Sequence, residues 1–187
     1  MPLKVIKTDL PDVLVFEPQV FGDLRGFFME SYNQKKYKEL GLNRTFVQDN
    51  FSHSSRGTLR GLHYQLNFPQ AKFVFVAQGE VFDVAVDIRR GSPTFGHWVG
   101  ELLSSKNNRQ MFIPEGFAHG FCVLSETADF MYKCTDFYHP EDDRGLNFSD
   151  ETIGISWPIK APILSDKDSA LPMLHDLPEK LLPAYEK

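Results

Sequence analysis

The sequence contains only two cysteines among 187 residues, Cys122 and Cys134. Two cysteines are too few for a disulfide framework or for a structural zinc site. Both lie in apolar runs, so we expect two buried, reduced thiols.

Long apolar runs are absent as well. None approaches the ~20 residues that a membrane-spanning helix needs. Residues 1–4 lead into an alternating pattern rather than the apolar segment of a secretion signal. We therefore expect a cytoplasmic protein without a membrane partner.

An excess of basic charge is also lacking, because the formal net charge is -5 at pH 7. Nucleic-acid-binding surfaces are usually strongly basic, so we expect no nucleic-acid partner. A local basic pocket for a phosphorylated small molecule is compatible with this total. The length fits a single domain of ordinary size.

Strands dominate the predicted secondary structure. Aromatic residues make up 13% of the chain, with 17 phenylalanines, and such residues suit half-buried sheets. One short helix is predicted over residues 34–40, capped by Asn33 and ended by Gly41. Residues 13–16 precede Pro18 and are expected to form an edge strand or an arm. Turn signals recur between strands from residue 46 to residue 135, which predicts an all-β antiparallel sandwich or barrel.

The most unusual strand covers residues 59–65. Because residues two apart share a face of a strand, His63 and Gln65 are expected to point the same way. Arg60 is expected to point the opposite way. Both Arg60 and His63 can face one ligand only if the strand twists, bulges or bends at Gly61.

A second histidine stands in a known type of motif. Pro114, Gly116 and His119 have the Pro-x-Gly-x-x-His spacing that resembles the second motif of cupins, which are jelly-roll barrels. Metal-binding cupins carry His-x-His in their first motif, whereas this chain has Gln65 at the place of the second ligand. We therefore expect no metal ion and no cofactor, with the histidines available for acid–base chemistry.

The similarity to cupins leads to a single-domain prediction over residues 1–187. Residues 1–45 are expected to form N-terminal arm strands and the short helix, and residues 46–135 the jelly-roll core. Residues 136–187 are expected to form loops and a few short helices on the outside.

Other polar residues are candidates for the same cavity. Lys72 begins an apolar strand, and Asp83 lies on the polar side of another, where it can orient His119. Tyr132 is a candidate proton donor, and Tyr138 is an aromatic residue at a strand exit that can stack on a ring.

Together these motifs resemble the dTDP-4-dehydrorhamnose 3,5-epimerase family of dTDP-L-rhamnose synthesis. The similarity runs nearly from end to end. Its carriers are residues 21–30, 46–50, 59–65, 81–89, 113–121, 132–133 and 164–168.

The resemblance implies a reaction and the residues that perform it. His63 is expected to be the base that takes protons from C3 and C5 of a dTDP-linked 4-keto-6-deoxyglucose, with Asp168 as its dyad partner. Lys72, with Arg60 nearby, is expected to hold the resulting enolate oxygen. Tyr132 matches the residue that returns a proton to the opposite face.

The resemblance also implies a nucleotide site and a homodimer. Its expected substrate contacts are Arg25, Glu30, Gln48, Asn50, Arg60, His119, Tyr138 and Lys167. Arg25 and Glu30 match residues that often reach across the subunit boundary, and Tyr138 matches the residue that stacks on thymine. Family members often have a basic residue at the position of Phe75, whereas residues 73–76 of this chain are wholly apolar.

Several alternatives remain open at this stage. The chain can be a single epimerase acting at C3 or C5 only, or a sugar-nucleotide ketoisomerase. A sugar-nucleotide-binding cupin without activity is the alternative from another class. A metal-dependent cupin enzyme is the remaining one.

Overall fold

The computed structural model describes residues 3–185 and consists mainly of antiparallel strands. The strands are β1 (Lys4–Lys7), β2 (Leu14–Glu17), β3 (Val20–Asp23), β4 (Gly26–Met29), β5 (Gln48–Ser55), β6 (Leu59–Gln65), β7 (Lys72–Gln78), β8 (Glu80–Asp87), β9 (Trp98–Ser104), β10 (Gln110–Ile113), β11 (Phe117–Val123), β12 (Thr127–Cys134) and β13 (Asp143–Gly145). The α-helices are α1 (Gln34–Glu39) and α2 (Asp166–Ser169), and single 3₁₀ turns cover Pro140–Asp142, Leu174–Asp176 and Glu179–Leu181.

Two sheets form the body of the fold. One has six strands in the order β1-β2-β10-β7-β12-β5, and the other has five in the order β13-β6-β11-β8-β9. The prediction of an all-β fold with a few short helices is confirmed.

The core lies between the inner faces of the sheets, because alternate residues of each strand point inward. Val74 and Val76 of β7 face this core together with Val81 and Ala85 of β8 and Phe121 of β11. The same alternation places polar residues such as Asp83 and His119 on the inner faces. The functional candidates therefore share one interior with the apolar core.

The outer faces are covered by the chain ends. Tyr37 of α1 packs with Phe16 and Phe73 on the outside of the six-stranded sheet. Asn33 caps α1 by accepting a hydrogen bond from the Lys36 N–H, as predicted. On the five-stranded sheet, the C-terminal segment contributes apolar side chains to a second cluster, namely Leu146, Ile153, Leu174 and Leu182.

The edge position predicted for residues 13–16 is wrong. Strand β2 lies between β1 and β10 and pairs with both. Pro18 follows the last residue of β2, Glu17, so its missing N–H lies outside the ladder and does not limit pairing. The expectation for the cysteines is confirmed, since Cys122 and Cys134 are both free and buried.

Strands β3 and β4 form a separate two-stranded hairpin. Its apolar side chains Val20, Phe21, Leu24, Phe27 and Phe28 are exposed to solvent. Strand β5, which carries part of the cavity wall, is an edge strand of the six-stranded sheet.

Candidate active site

A cavity of about 450 Å³ opens between the two sheets. All four predicted catalytic residues line it, and so do six of the eight predicted substrate-binding residues. These residues are His63, Lys72, Tyr132, Asp168, Gln48, Asn50, Arg60, His119, Tyr138 and Lys167.

Arg60 and His63 both reach the cavity because β6 contains a bulge. His63 pairs with His119 and Arg60 pairs with Phe121, so three steps along β6 match two steps along β11. An extra residue in one strand reverses the facing of the residues beyond it. Gly61 lies in this stretch with a φ of 117°, a conformation that only glycine adopts readily. The opposite facing expected from regular alternation is therefore wrong, and a bulge at Gly61 is the reason.

His63 forms a close pair with Asp168. Its Nε2 lies 2.6 Å from Asp168 Oδ1, although the two residues are 105 positions apart in the sequence. The Asp168 side chain is only 6% exposed, whereas that of His63 is 28% exposed and accessible from the cavity. Nε2 is thus occupied by the carboxylate, and Nδ1 is the ring nitrogen left for a ligand.

The environment of Asp168 favours its charged form. Burial alone would raise the pKa of Asp168, but hydrogen bonds from His63, Ser165 and the Gly61 backbone outweigh burial and lower it. The carboxylate is therefore ionised at neutral pH. It can orient the imidazole and compensate the charge of a protonated ring.

A second histidine–aspartate pair adjoins the first, because His119 of β11 lies opposite His63 of β6. His119 Nε2 is 3.0 Å from both carboxylate oxygens of Asp83, and both residues are buried. Burial lowers the pKa of His119 and raises that of Asp83, although their mutual attraction opposes both shifts. His119 is therefore held neutral at the cavity wall, while Asp83 contacts it from behind without lining the cavity.

Lys72 of β7 and Tyr132 of β12 line the same cavity from the opposite sheet. Burial lowers the pKa of the Lys72 ammonium, and the acidic groups of Cys134, Asp143 and Asp83 oppose this shift. Within residues 3–185 the ammonium has no hydrogen-bonding partner, so it is available to an anionic ligand oxygen. Burial raises the pKa of Tyr132, which keeps its phenol protonated at neutral pH.

The mouth of the cavity is organised by Asp143, a residue that the sequence analysis missed. Its Oδ2 accepts a 2.8 Å hydrogen bond from the Tyr138 hydroxyl and a short one from the Lys167 ammonium. The hydrogen bond to Asp143 raises the pKa of Tyr138 to about 12. Asp143 begins the short strand β13 in a polar stretch with no motif around it, so its sequence offers no signal of this role.

Gln65 lines the cavity and also fixes its mouth. Its Nε2 donates to the carbonyls of Phe68 and Phe137 at 2.6 and 3.1 Å, and its Oε1 accepts from the His139 N–H at 2.8 Å. Gln48 Oε1 accepts from the neighbouring Tyr138 N–H at 2.9 Å. Two side-chain amides therefore hold the backbone that carries the Tyr138 ring.

Two predicted binding residues do not reach this cavity. Arg25 lies in the exposed turn of the hairpin and pairs with Asp23. Glu30 pairs with the Lys36 ammonium at 2.8 Å. Neither residue lines the cavity of its own chain.

The position of Phe75 does not shape the cavity. It alternates along β7 with Val74 and Val76, whose side chains belong to the inner core, so Phe75 faces outward. Phe75 is accordingly absent from the cavity lining, so its apolar side chain does not alter the wall of this cavity.

The described residues contain no group of three or more His, Cys, Asp or Glu side chains that could hold a metal ion. No helix within residues 3–185 has the length and apolar character needed to span a lipid bilayer.

This combination of a two-sheet β fold and an acid–base cavity is that of a cupin-like isomerase. The family model described as dTDP-4-dehydrorhamnose 3,5-epimerase matches residues 7–176. The chain therefore belongs to the dTDP-4-dehydrorhamnose 3,5-epimerase family, which confirms the resemblance seen in its sequence and makes it an isomerase.

Named relatives agree with this assignment. The dTDP-4-dehydrorhamnose 3,5-epimerase of Shigella flexneri is 61% identical over 168 residues, which are 89% of this chain and 93% of the relative. The crystal structure of dTDP-6-deoxy-D-glucose-3,5-epimerase from Legionella pneumophila, in complex with dTDP-4-keto-L-rhamnose, is 53% identical. It has a TM-score of 0.97 over 100% of both chains.

A structural neighbour with a narrower activity is also similar. A 3'-monoepimerase from Streptomyces bikiniensis, in complex with dTDP-quinovose, is 33% identical with a TM-score of 0.89. The match covers 96% of this chain and 92% of that one.

Proposed function

We propose that this chain converts dTDP-4-dehydro-6-deoxy-D-glucose to dTDP-4-dehydro-L-rhamnose by inverting C3 and C5, a step of dTDP-L-rhamnose synthesis. The observation that carries this proposal is the His63–Asp168 pair, which faces a cavity that also holds Lys72 and Tyr132. A base, a cation and an acid are the three groups that inversion next to a carbonyl requires.

The reaction begins with removal of a proton next to the 4-keto group. His63 Nδ1 takes the proton, and the electron pair of the broken C–H bond forms a carbon–carbon double bond. The carbonyl electrons move to its oxygen, which becomes an enolate. Ionised Asp168 holds the His63 ring through Nε2 and compensates the charge that the ring acquires.

Lys72 is the group proposed to receive the enolate oxygen. Its buried ammonium has no partner within residues 3–185, so forming this contact does not require another hydrogen bond to break. A preorganised cation in a site shielded from water stabilises charge far better than water does. The lowered pKa of Lys72 also makes its proton easier to share with the enolate.

Inversion is completed from the other face of the sugar. Tyr132 gives its phenolic proton to the carbon, the double-bond electrons form the new C–H bond, and the carbonyl is restored. His63 then holds an extra proton and Tyr132 lacks one, so both return to their starting states by exchange with solvent. The same cycle is repeated at the second carbon.

The nucleotide is proposed to bind at the mouth of the cavity. Tyr138 supplies an aromatic face for thymine and Lys167 supplies positive charge for the diphosphate, while Arg60 is proposed to assist Lys72 at the enolate oxygen. Gln48, Asn50 and His119 are proposed to contact the remaining polar groups. Asp83 is proposed to support His119 from behind.

A homodimer is part of the proposal. The hairpin of β3 and β4 exposes apolar side chains, and the edge strand β5 has backbone groups available for pairing. We propose that the hairpin of one copy packs beside β5 of the other and brings Arg25 and Glu30 to that cavity. Exposed hairpins of this kind suit a symmetric interface.

The proposed location is the cytoplasm. A substrate with a charged diphosphate does not cross a lipid bilayer unaided, so the enzyme is expected in the compartment where that substrate is made.

Conversion in heavy water, followed by proton NMR, tests the proposed reaction. Double epimerisation predicts loss of the proton signals at both C3 and C5. Loss at one carbon only would instead identify a single epimerase like the Streptomyces bikiniensis neighbour. Migration of the carbonyl to C3, seen by carbon NMR, would identify a ketoisomerase, and binding of dTDP without exchange would identify a non-catalytic binding protein.

A further inference from the structure

Ser165 links the catalytic pair to the start of helix α2. Its side-chain oxygen accepts a 3.0 Å hydrogen bond from the backbone N–H of Asp168, which makes Ser165 the N-cap of the helix. The same side chain is among the hydrogen-bond donors that stabilise the Asp168 carboxylate. Ser165 therefore stabilises both the backbone N–H and the side-chain carboxylate of Asp168.

The segment before Ser165 is tied to the beginning of β6. Ile163 forms a parallel bridge with Thr58, its carbonyl accepts from the Leu59 N–H at 2.9 Å, and its N–H donates to the Gly57 carbonyl at 2.8 Å. The chain from Ile163 to Asp168 thus runs beside β6 between two fixed points. The first point is this bridge, and the second is the contact with His63.

Helix α2 needs a local constraint to hold Asp168 at the second of these points. The helix has only four residues, and such a short helix is not stable without a cap or packing. Loss of the cap would leave the Asp168 backbone N–H without its partner and free the carboxylate to turn. Asp168 would then lose its position against His63 even though the bridge at Ile163 is intact.

We propose that Ser165 is a positioning residue for the reaction, which holds Asp168 in place through the N-cap hydrogen bond and so orients His63. This inference rests on the proposed function, because it assigns Ser165 to the alignment of the proposed base. Ser165 also lines the cavity, where its hydroxyl could instead contact the substrate directly. The experiment must distinguish this role from the positioning of Asp168.

Three substitutions separate these roles. Ser165→Ala removes the cap and is expected to lower kcat about tenfold, in line with the cost of losing a serine N-cap. The KM and the affinity for dTDP are expected to stay within about twofold of wild type, as for an interaction expressed only in the transition state. Ser165→Thr and Ser165→Asn both retain a capping oxygen and are expected to restore most of kcat.

The matched control is Ser169→Ala on the same helix. The Ser169 hydroxyl is exposed and donates to the Asp166 carbonyl at 2.8 Å, without contact to the catalytic pair. This variant is expected to keep the wild-type kcat. A similar loss in both variants would show that general loosening of α2 is responsible and would overturn the specific role of Ser165.

A double substitution tests whether Ser165 acts through Asp168. In an Asp168→Asn background, Ser165→Ala is expected to cause little further loss of kcat, because residues that act through one another are not additive. An undiminished tenfold loss in that background would contradict the proposal. A rise in KM with unchanged kcat for Ser165→Ala would likewise contradict it and assign the hydroxyl to substrate binding.

One readout does not depend on activity. In the free protein, the NMR signal of the His63 Nε2 proton reports its hydrogen bond to Asp168, and Ser165→Ala is expected to move it toward the position of an unbonded imidazole. An unchanged His63 Nε2 proton signal in Ser165→Ala would overturn the inference, whatever the activity of that variant. If the signal moved while wild-type protein showed no exchange in heavy water, the positioning role would stand and the proposed reaction would fail.

Discussion

Gly61 and Gly120 lie so close across β6 and β11 that neither has room for a side chain. A Cβ built on Gly61 would be 2.6 Å from the Gly120 Cα and 2.6 Å from the His119 carbonyl oxygen. A Cβ on Gly120 would be 2.7 Å from the Arg60 carbonyl oxygen. This contact accompanies the bulge that turns both Arg60 and His63 toward the cavity.

Gly61→Ala is therefore expected to disturb both stability and the site. The new methyl group clashes with β11, and alanine disfavours the φ of 117°. We expect the free energy of unfolding to fall by about 2–4 kcal/mol in urea denaturation. Gly91→Ala is the control, because Gly91 also has a positive φ but nothing lies near its Cβ. A loss no larger than that of the control would show that the contact with Gly120 has little weight.

Asp168→Asn is expected to change the acid stability of the protein. The pKa of Asp168 is lowered in the fold, so its ionised form stabilises the protein above the unfolded pKa of about 3.9, and this contribution is lost as pH falls through the folded value. Wild type is thus expected to exceed the variant in free energy of unfolding at neutral pH, with the gap closing below about pH 4. Urea denaturation across pH 3–7 measures this gap. A gap that does not depend on pH would contradict the role of the charged carboxylate.

Lys72→Met is expected to separate stability from activity. The buried ammonium lacks a hydrogen-bonding partner in the described chain, so its replacement by an apolar side chain of similar length should not lower the melting temperature. Loss of the proposed enolate contact should lower kcat by about 10²–10³. Lys106→Met, at an exposed loop position, serves as the control. Near-normal turnover by Lys72→Met would exclude Lys72 as the group that holds the enolate.

Mixed dimers test whether the hairpin serves the partner's cavity. Arg25→Ala and His63→Asn chains are each expected to be nearly inactive alone. In hybrids, the Arg25→Ala chain keeps its own His63 and receives Arg25 from the other copy, which restores one site per dimer. Random mixing should therefore recover about a quarter of wild-type activity, since half of the dimers are hybrids with one intact site of two. No recovery in verified hybrids would contradict the proposal that Arg25 serves the cavity of the other copy.

Local patterns in the sequence predicted much of the fold. Alternation in β8 and the turn signals between strands identified the sheets, and Asn33 identified the start of α1. The edge position predicted for β2 is wrong because a proline that only follows the strand was taken to limit its pairing. Which strand becomes an edge is decided by pairing between distant segments, and a local pattern does not contain that information.

The site was predictable only in part for the same reason. His63 and His119 stand in motifs, but Asp168 meets His63 across 105 residues and was recognised only through the family resemblance. Asp143 had no motif and was missed. The bulge at Gly61 depends on the approach of Gly120, a contact between two strands that no single strand pattern reveals.

Solvent exchange at C3 and C5 measures most directly whether His63 removes the sugar protons. Wild type and His63→Asn are incubated with the dTDP-linked 4-keto sugar in heavy water, and the C3 and C5 signals are followed by proton NMR, with dTDP affinity and melting temperature as checks on folding. We expect exchange at both carbons in wild type and its loss in the variant, with dTDP still bound. Exchange near the wild-type rate in His63→Asn would show that another group is the base.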